Sequence, residues 1–364
     1  MTKTLCIDLR WIDCSGIGTY IKGIMPGILT RLEDVTVIGI GPKRRIEKFE
    51  WSSSENFEIV DCTAARYSLA EQIIVPFAIP KRTDLFFSPH YPIPLLYSGG
   101  LVVTVHDLSH LVLPEIVSSR AKRMYARTMF HEVRRRSSIV ITNSQFTKSE
   151  LLRLTKGPRK DNVVPIHLGI SEGWFNISSA VAKPVAPYIV HVGNIKPHKN
   201  LHRLVDAFTN IMNRIPHQLI IVGQYDGFIT SERTEFFSLV NAASNRIRLT
   251  GVVEQQKLFE LVGNARVLVM PSIYEGFGFP PLEAMAARVP TIVAKAGSLP
   301  EICGDAALYC DPRSTDDIAA KLLNLLSDRT LSDELIRRGE KRAMRFSWES
   351  CADKTASLLR SVLG

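Results

Sequence analysis

From Thr4 onward, short apolar runs alternate with helix-length stretches, and the alternation breaks only once. Residues 4–9, 35–40, 85–88, 101–106, 139–142 and 163–166 read as strands, with helices at 19–31 and 143–154. Residues 172–187 then lose all periodicity and collect Gly173, Asn176, Ser178, Ser179, Pro184 and Pro187, which reads as a linker. A second series follows, with strands at 188–192, 218–222, 247–249, 266–270, 291–294 and 307–310. Its helices are expected at 200–214, 232–241 and 255–263, and helical patterns at 315–327, 332–345 and 348–363 close the chain. Strands that alternate with helices must be joined by crossovers, so both series predict parallel sheets built from βαβ units. The expectation is an α/β chain with domains at 1–172 and 188–345, a linker at 173–187 and a terminal helical segment at 346–364. Two similar halves of this kind suggest a ligand held in the cleft between them.

Bulk numbers fit two domains: 364 residues at ~150 residues each. The longest apolar run, 73–80, is far below the ~18 residues that suggest a membrane-spanning helix. Met1-Thr2-Lys3-Thr4 enters a strand without a signal-peptide core, and the six cysteines form no C-x-x-C pair. A reducing cytoplasm is therefore expected, where the sequon Asn176-Ile177-Ser178 has no meaning. Net charge is +9, which favours anionic partners such as phosphates or lipid headgroups. No recognition motif for nucleic acid accompanies the charge, so none is expected as a partner. Residues 121–136 carry Lys122, Arg123, Arg127, Arg134, Arg135 and Arg136 among apolar residues. That pattern fits a basic amphipathic helix on an anionic membrane, or a core-facing helix with a solvated basic side.

The most informative stretch is Pro271-Ser272-Ile273-Tyr274-Glu275-Gly276-Phe277-Gly278-Phe279-Pro280-Pro281-Leu282-Glu283. An apolar strand feeds it, and a helix beginning near Pro281 leaves it. Prolines suit the first helical positions, where φ is already set and the N–H has no partner. Gly276 and Gly278 let a ligand lie against the backbone. Glu275 is expected at the carboxyl end of a strand, where open α/β sheets bind ligands. Glu283 is expected in the first turn of the helix, favoured by the dipole. Two carboxylates at this spacing can grip two parts of one polyhydroxylated ligand; a turn with a helix-capping glutamate has the same spacing.

Glu275 to Glu283 resembles the E-x7-E motif of retaining glycosyltransferases of family 4, which have the GT-B fold of two Rossmann-like domains facing a cleft. Tyr274-Glu275-Gly276-Phe277-Gly278 and Pro281-Leu282-Glu283-Ala284-Met285 carry that resemblance. It implies transfer of a sugar from a nucleotide diphosphate donor to a glycan or lipid-linked glycan acceptor. Glu283 would hold the ribose hydroxyls, and Glu275 with the backbone of Gly276, Phe277 and Gly278 would hold the sugar. The last helix would cross back to the N-terminal, acceptor-side domain.

Further stretches fit this reading. His191-Val192-Gly193-Asn194-Ile195-Lys196-Pro197-His198-Lys199-Asn200-Leu201 is a strand end and glycine turn entering a helix with two lysines, either an anion site or a solvated face. It is similar to the family's diphosphate segment, in which Lys199 matches and Lys196 replaces an arginine, so a fork becomes a point charge. Ser15-Gly16-Ile17-Gly18 fails as a dinucleotide fingerprint, because Ile21 occupies the third glycine position. It stays open as a simple strand–helix turn or a phosphate-approaching loop; the family has such a loop, closing on the donor diphosphate, matched by Gly16 and Gly18. His106, in Thr104-Val105-His106-Asp107-Leu108, resembles a family histidine near the donor sugar, with Asp107 ordering the local backbone. His90 lies in a proline loop that suits an acceptor side or simple rigidity. The turn at Val252 would lie beside the nucleobase by resemblance. No D-x-D pair or metal-ligand cluster occurs, so neither a metal nor another cofactor is expected. The 7–17 and 301–312 segments look like bacterial polysaccharide-building members, many of them mannosyltransferases, making GDP-mannose the lead donor. A UDP-sugar donor, an epimerase or hydrolase acting on the donor alone, and a non-catalytic partner subunit are the alternatives. Residence would be cytoplasmic, with peripheral contact at the inner membrane face carried as a further expectation.

Overall fold

Apolar runs that are buried on both faces form parallel strands, because the crossover helices cover both sides of the sheet. The first seven are β1 (Thr4–Asp8), β2 (Thr36–Gly41), β3 (Phe57–Asp61), β4 (Leu85–Ser88), β5 (Gly100–Val105), β6 (Ile139–Thr142) and β7 (Val163–Pro165). They form one parallel sheet in the order β3-β2-β1-β4-β5-β6-β7. Around it lie α1 (Ser15–Arg31), α2 (Lys43–Ile46), α3 (Glu71–Ala78), α4 (Ser109–Val112), α5 (Arg120–Arg136) and α6 (Gln145–Leu154). Phe86, Val103, Phe130 and Val140 are fully buried in the core on one face of the sheet.

The second series gives β8 (Tyr188–Val192), β9 (Gln218–Val222), β10 (Ile247–Gly251), β11 (Val267–Met270), β12 (Thr291–Ala294) and β13 (Leu308–Cys310). Their parallel order is β10-β9-β8-β11-β12-β13. The helices are α7 (Leu201–Ile211), α8 (Thr230–Ala242), α9 (Gln255–Gly263), α10 (Phe279–Ala286), α11 (Leu299–Cys303), α12 (Thr315–Ser327) and α13 (Arg329–Ala343). This computed structural model describes residues 2–113, 120–157, 161–177, 186–224, 230–243 and 245–364.

The chain divides into two units, the first carrying β1–β7 and α1–α6, the second β8–β13 and α7–α13. The closing helix α14 (Trp348–Leu363) belongs to the first unit. It packs along α1, where Gly23 leaves room for the Trp348 ring; a Cβ there would come within 2.2 Å of it. Arg31 to Asp353 at 2.8 Å and Arg360 to Asp34 at 2.6 Å flank that seam.

Each sheet reverses its order beside its first strand, with β1 between β2 and β4, and β8 between β9 and β11. These are the switch points at whose carboxyl ends α/β sheets bind ligands.

Two expectations need correction, and two elements were not expected at all. Helix α1 starts at Ser15, so Gly16 and Gly18 lie in its first turn and not in a turn before it. Gly18 is small because the Ile12 carbonyl packs against it, 2.3 Å from where a Cβ would be. The edge strand β3 and the helix α3 give weak sequence signals: β3 carries Glu58 and Asp61, and α3 has an internal Pro76 and exposes Ile73, Ile74 and Phe77. Lastly, the expected linker begins as packed chain, because Trp174 is buried and its ring meets Phe259 edge-on at 4.6 Å. Residues 178–185 of that stretch lie outside the described residues.

Candidate functional site

In the second unit, the loops after β8 and β11 meet at the switch point. Strand β8 is followed by Gly193, whose φ of +155° and closeness to Gly223 favour glycine; a Cβ on Gly223 would lie 2.0 Å from the Gly193 carbonyl oxygen. The chain then turns through Lys196 to Asn200, a buried residue in the left-handed conformation (φ 60°). Asn200 donates from Nδ2 to the carbonyls of Pro271 (3.0 Å) and Pro312 (2.6 Å), and Ile273 N–H donates to the His198 carbonyl (2.9 Å). Those bonds fix the lysine loop against the β11 loop.

The consequence is a nearly buried ion pair. Lys199 Nζ donates to Glu275 Oε1 at 2.7 Å, with only 15% and 11% of the two side chains exposed. Burial pushes the Glu275 carboxyl up, but Lys199 and His198 outweigh it and hold the carboxyl below its ordinary value. Lys196, by contrast, stands exposed, so the two lysines differ in kind.

The Glu275 loop is also held from behind. Ser298 is fully buried; its N–H and hydroxyl both donate to the Glu275 carbonyl (3.1 and 3.0 Å), and the hydroxyl also reaches the Phe277 carbonyl (2.8 Å). Gly297 adopts φ +59°, and a Cβ there would lie 2.8 Å from both the nitrogen and the oxygen of Glu275. Gly278, at φ 105°, starts α10, so the helix begins at Phe279. Glu283 consequently sits in the second turn, a correction to the first-turn expectation: the left-handed glycine starts the helix ahead of both prolines. Burial pushes the Glu283 carboxyl up to about 7, against a hydrogen bond from the Trp174 indole that lowers it. Val252 is exposed beyond the β10 end, next to Gly251 with φ 72°.

In the first unit, His106 follows β5 and donates from Nε2 to the Pro89 carbonyl at 2.9 Å, leaving Nδ1 as its acceptor. Burial lowers its pKa, so the ring is neutral at physiological pH. Asp107 Oδ1 accepts the Ser109 N–H at 2.8 Å and orders that turn. His90 is buried after β4, bonded through Nε2 to the Tyr67 hydroxyl at 2.8 Å. Beneath lies a buried network: Arg10 binds Asp8 (2.7 Å) and Glu71 (3.2 Å), and Glu71 accepts from Tyr125 (2.5 Å). Gly16 and Gly18 open the 17-residue α1, whose first turn holds no acidic residue, leaving its positive end uncompensated.

The family model for glycosyl transferases group 1 matches residues 175–342. O-antigen chain mannosyltransferase B of Escherichia coli is 33% identical over 283 residues, covering 74% of this chain and 72% of that protein. The chain belongs to the group 1 glycosyl transferases. A second relative of the family, O-antigen chain mannosyltransferase RfbU of Salmonella typhimurium, is 28% identical over 246 residues, 68% of this chain and 65% of its own. Among solved structures, sucrose-phosphate synthase of Thermosynechococcus elongatus superposes with a TM-score of 0.78 at 20% identity, covering 99% of each chain. Anabaena HepE, solved in complex with UDP-glucose, gives 0.78 at 17% identity over 98% of this chain and 99% of its own. The fold of this glycosyl transferase is GT-B.

Several residues that build the site were given no role in the sequence reading. Asn200, Gly297, Ser298 and Trp174 act through backbone bonds or from distant segments, which spacing does not reveal. His191, at the head of the lysine stretch, carried a signal, a histidine inside an apolar strand. Its Nδ1–H donates to the Val269 carbonyl (2.9 Å), and burial lowers its pKa to about 4, so it joins β8 to β11 as a neutral ring.

Proposed function

We propose that this glycosyl transferase moves mannose from GDP-mannose to a glycan or lipid-linked glycan acceptor, with retention of configuration, in polysaccharide assembly. The observation that carries this reading is the Lys199–Glu275 ion pair at the β8/β11 switch point. It joins a cation suited to a leaving diphosphate to a carboxylate suited to a sugar whose anomeric carbon becomes positive. Lys199 stabilises the departing diphosphate, while Glu275 and the backbone from Gly276 to Gly278 orient the sugar. Glu283 takes the ribose hydroxyls. The acceptor hydroxyl attacks the anomeric carbon on the face the diphosphate leaves. The breaking C–O bond gives its electrons to the phosphate oxygen, which takes the acceptor's proton. The first unit carries His106 and the Gly16–Gly18 opening of α1, and its exposed Tyr67 ring, in edge contact with the buried Trp11 and His90, suits an acceptor sugar. The O-antigen mannosyltransferase names of the relatives support mannose and polysaccharide.

The test is a donor panel of GDP- and UDP-sugars. Mannosyl transfer from GDP-mannose, with an unchanged anomeric configuration by NMR, is the expected result; turnover of the donor without acceptor would favour a hydrolase or epimerase. We further propose that no metal or other cofactor takes part, since the sequence has no D-x-D pair. Turnover should then survive EDTA, and loss restored by Mg²⁺ or Mn²⁺ would overturn this part.

A further inference from the structure

Strand β8 reads Tyr188-Ile189-Val190-His191-Val192, and its one histidine is fully buried. His191 Nδ1 lies 2.9 Å from the Val269 carbonyl of β11. A carbonyl only accepts, so Nδ1 carries the proton and Nε2 of the neutral ring holds a lone pair. Among the described residues, that Nε2 has no hydrogen-bond partner. A buried acceptor without a donor costs free energy that an apolar side chain at this position would not.

Gly193 marks the place that Nε2 borders. A Cβ there would stand 3.4 Å from Nε2 and 3.6 Å from Lys199 Cε, so the imidazole and the lysine stem flank one space over the glycine. Lys199 donates to Glu275 Oε1 at 2.7 Å, and an ammonium has three protons to donate. Burial above all, and the Lys199 charge after it, lower the His191 pKa to about 4, against the Val269 bond and the Glu275 charge, which raise it. The ring beside the lysine is thus an acceptor and not a competing cation.

We propose that His191 is a positioning residue for Lys199: its Nε2 accepts a hydrogen bond from the ammonium when the donor diphosphate draws Lys199 off Glu275. The lysine then keeps one fixed anchor, and Glu275 is released to the sugar. A second carboxylate in that place would hold the cation back from the phosphates. A neutral ring fixes its direction and leaves its charge for the leaving group. This role rests on the transfer reaction proposed above, which brings the diphosphate to Lys199.

Two substitutions separate the two ring nitrogens. His191→Asn keeps an amide donor for the Val269 carbonyl and loses Nε2. His191→Gln, one methylene longer, puts an amide oxygen near the Nε2 position and gives up the Val269 bond. Stability and turnover should part company. The asparagine variant should melt higher, while the glutamine variant should turn over roughly tenfold faster at saturating donor and acceptor. Turnover that follows melting temperature, or is equal in the two, would overturn the proposal and leave the imidazole a tie between strands. On a Lys199→Ala background Nε2 has nothing to hold, so the two substitutions should give the same residual turnover and the same Kd for GDP and for UDP. A difference that survives there would also overturn it. On the unsubstituted chain, nitrogen NMR of labelled histidine reads the lone pair directly. Saturating nucleoside diphosphate should move the unprotonated His191 nitrogen upfield, as acceptance of a hydrogen bond does, and an unmoved signal would overturn the role even if neither variant folds. Lys199→Ala alone reports on the transferase reading. Parental turnover in it would remove that reading and this role together, whereas a crippled Lys199→Ala beside equal asparagine and glutamine variants would remove His191 only.

Discussion

Lys199 and Glu275 satisfy each other, so removing either exposes what the other needs. Lys199→Ala should lower kcat/KM by ~2–4 kcal/mol of transition-state stabilisation. It should also destabilise the second unit, because a nearly buried carboxylate is left unpaired, at a cost of ~3–5 kcal/mol. Adding Glu275→Gln removes that charge. The double variant should regain much of the melting temperature while staying inactive, as calorimetry and turnover together would reveal. Recovery of neither would mean the pair is not coupled. Glu283 gives a pH prediction. Ribose hydroxyls bond better to a carboxylate than to a neutral acid, so nucleotide Kd should weaken as pH falls through about 7, where this carboxyl titrates. Glu283→Gln should bind weakly at every pH without that step, and Trp174→Phe should move the step upward. The fold follows the opposite sign. Between the unfolded value of about 4.3 and the folded one, the native state holds a proton that the unfolded chain has lost. That contribution is present at low pH and is lost as pH rises through about 7. Sequence alone singled out Glu275, Glu283 and Lys199, because carboxylates and lysines beside glycines at strand ends leave a local mark. It already set Lys199 ahead of Lys196, which stands where the family segment has an arginine, but only the Asn200 bonds across the chain show which lysine turns inward.

At the scale of elements, the strands of the second unit were legible almost residue for residue, because doubly covered strands are continuous apolar runs. What failed were elements whose apolar face does not point inward. Helix α3 shows Ile73 and Phe77 to solvent, and β3, at the sheet edge, mixes Phe57 with Glu58. Helix starts shifted where a glycine sets them, at Gly278 by its φ of 105°. The same local geometry makes a prediction about the turn after β12. Gly297 is left-handed, and a Cβ would press on both backbone atoms of Glu275. Gly297→Ala should therefore cost about 1–3 kcal/mol in stability and push the Glu275 loop outward. Activity should fall more than nucleotide affinity, since Glu283 sits on a different element. A variant with parent melting temperature and parent kcat would show that the turn tolerates the methyl group.

On the scale of the whole molecule, the first unit is discontinuous: its last helix, α14, is separated from its other elements by the entire second series. The sequence could show that residues 348–363 are helical, but only packing shows their place. Leu359 and Leu363 are buried, and a buried leucine contributes about 1.5–3 kcal/mol. Ala352 and the α1 glycines Gly23 and Gly27 let the two backbones approach closely; a Cβ on Gly27 would stand 2.6 Å from that of Ala352. A chain ending at Arg345 would leave that face of α1 in water. Hydrogen exchange should then lose its protection in α1 and in β4, which α14 also contacts. Strands β8–β13, whose core of Ile189, Phe208, Leu219 and Val267 takes nothing from α14, should keep theirs. Because Lys199, Glu275 and Glu283, the donor residues proposed above, all belong to the second unit, nucleotide binding should outlast the truncation while sugar transfer stops. Calorimetry with the nucleotide and exchange read by mass spectrometry on the same truncated chain decide the matter. Simultaneous loss of protection in α1 and in β8–β13 would mean that the two units fold as one, and that α14 supports both.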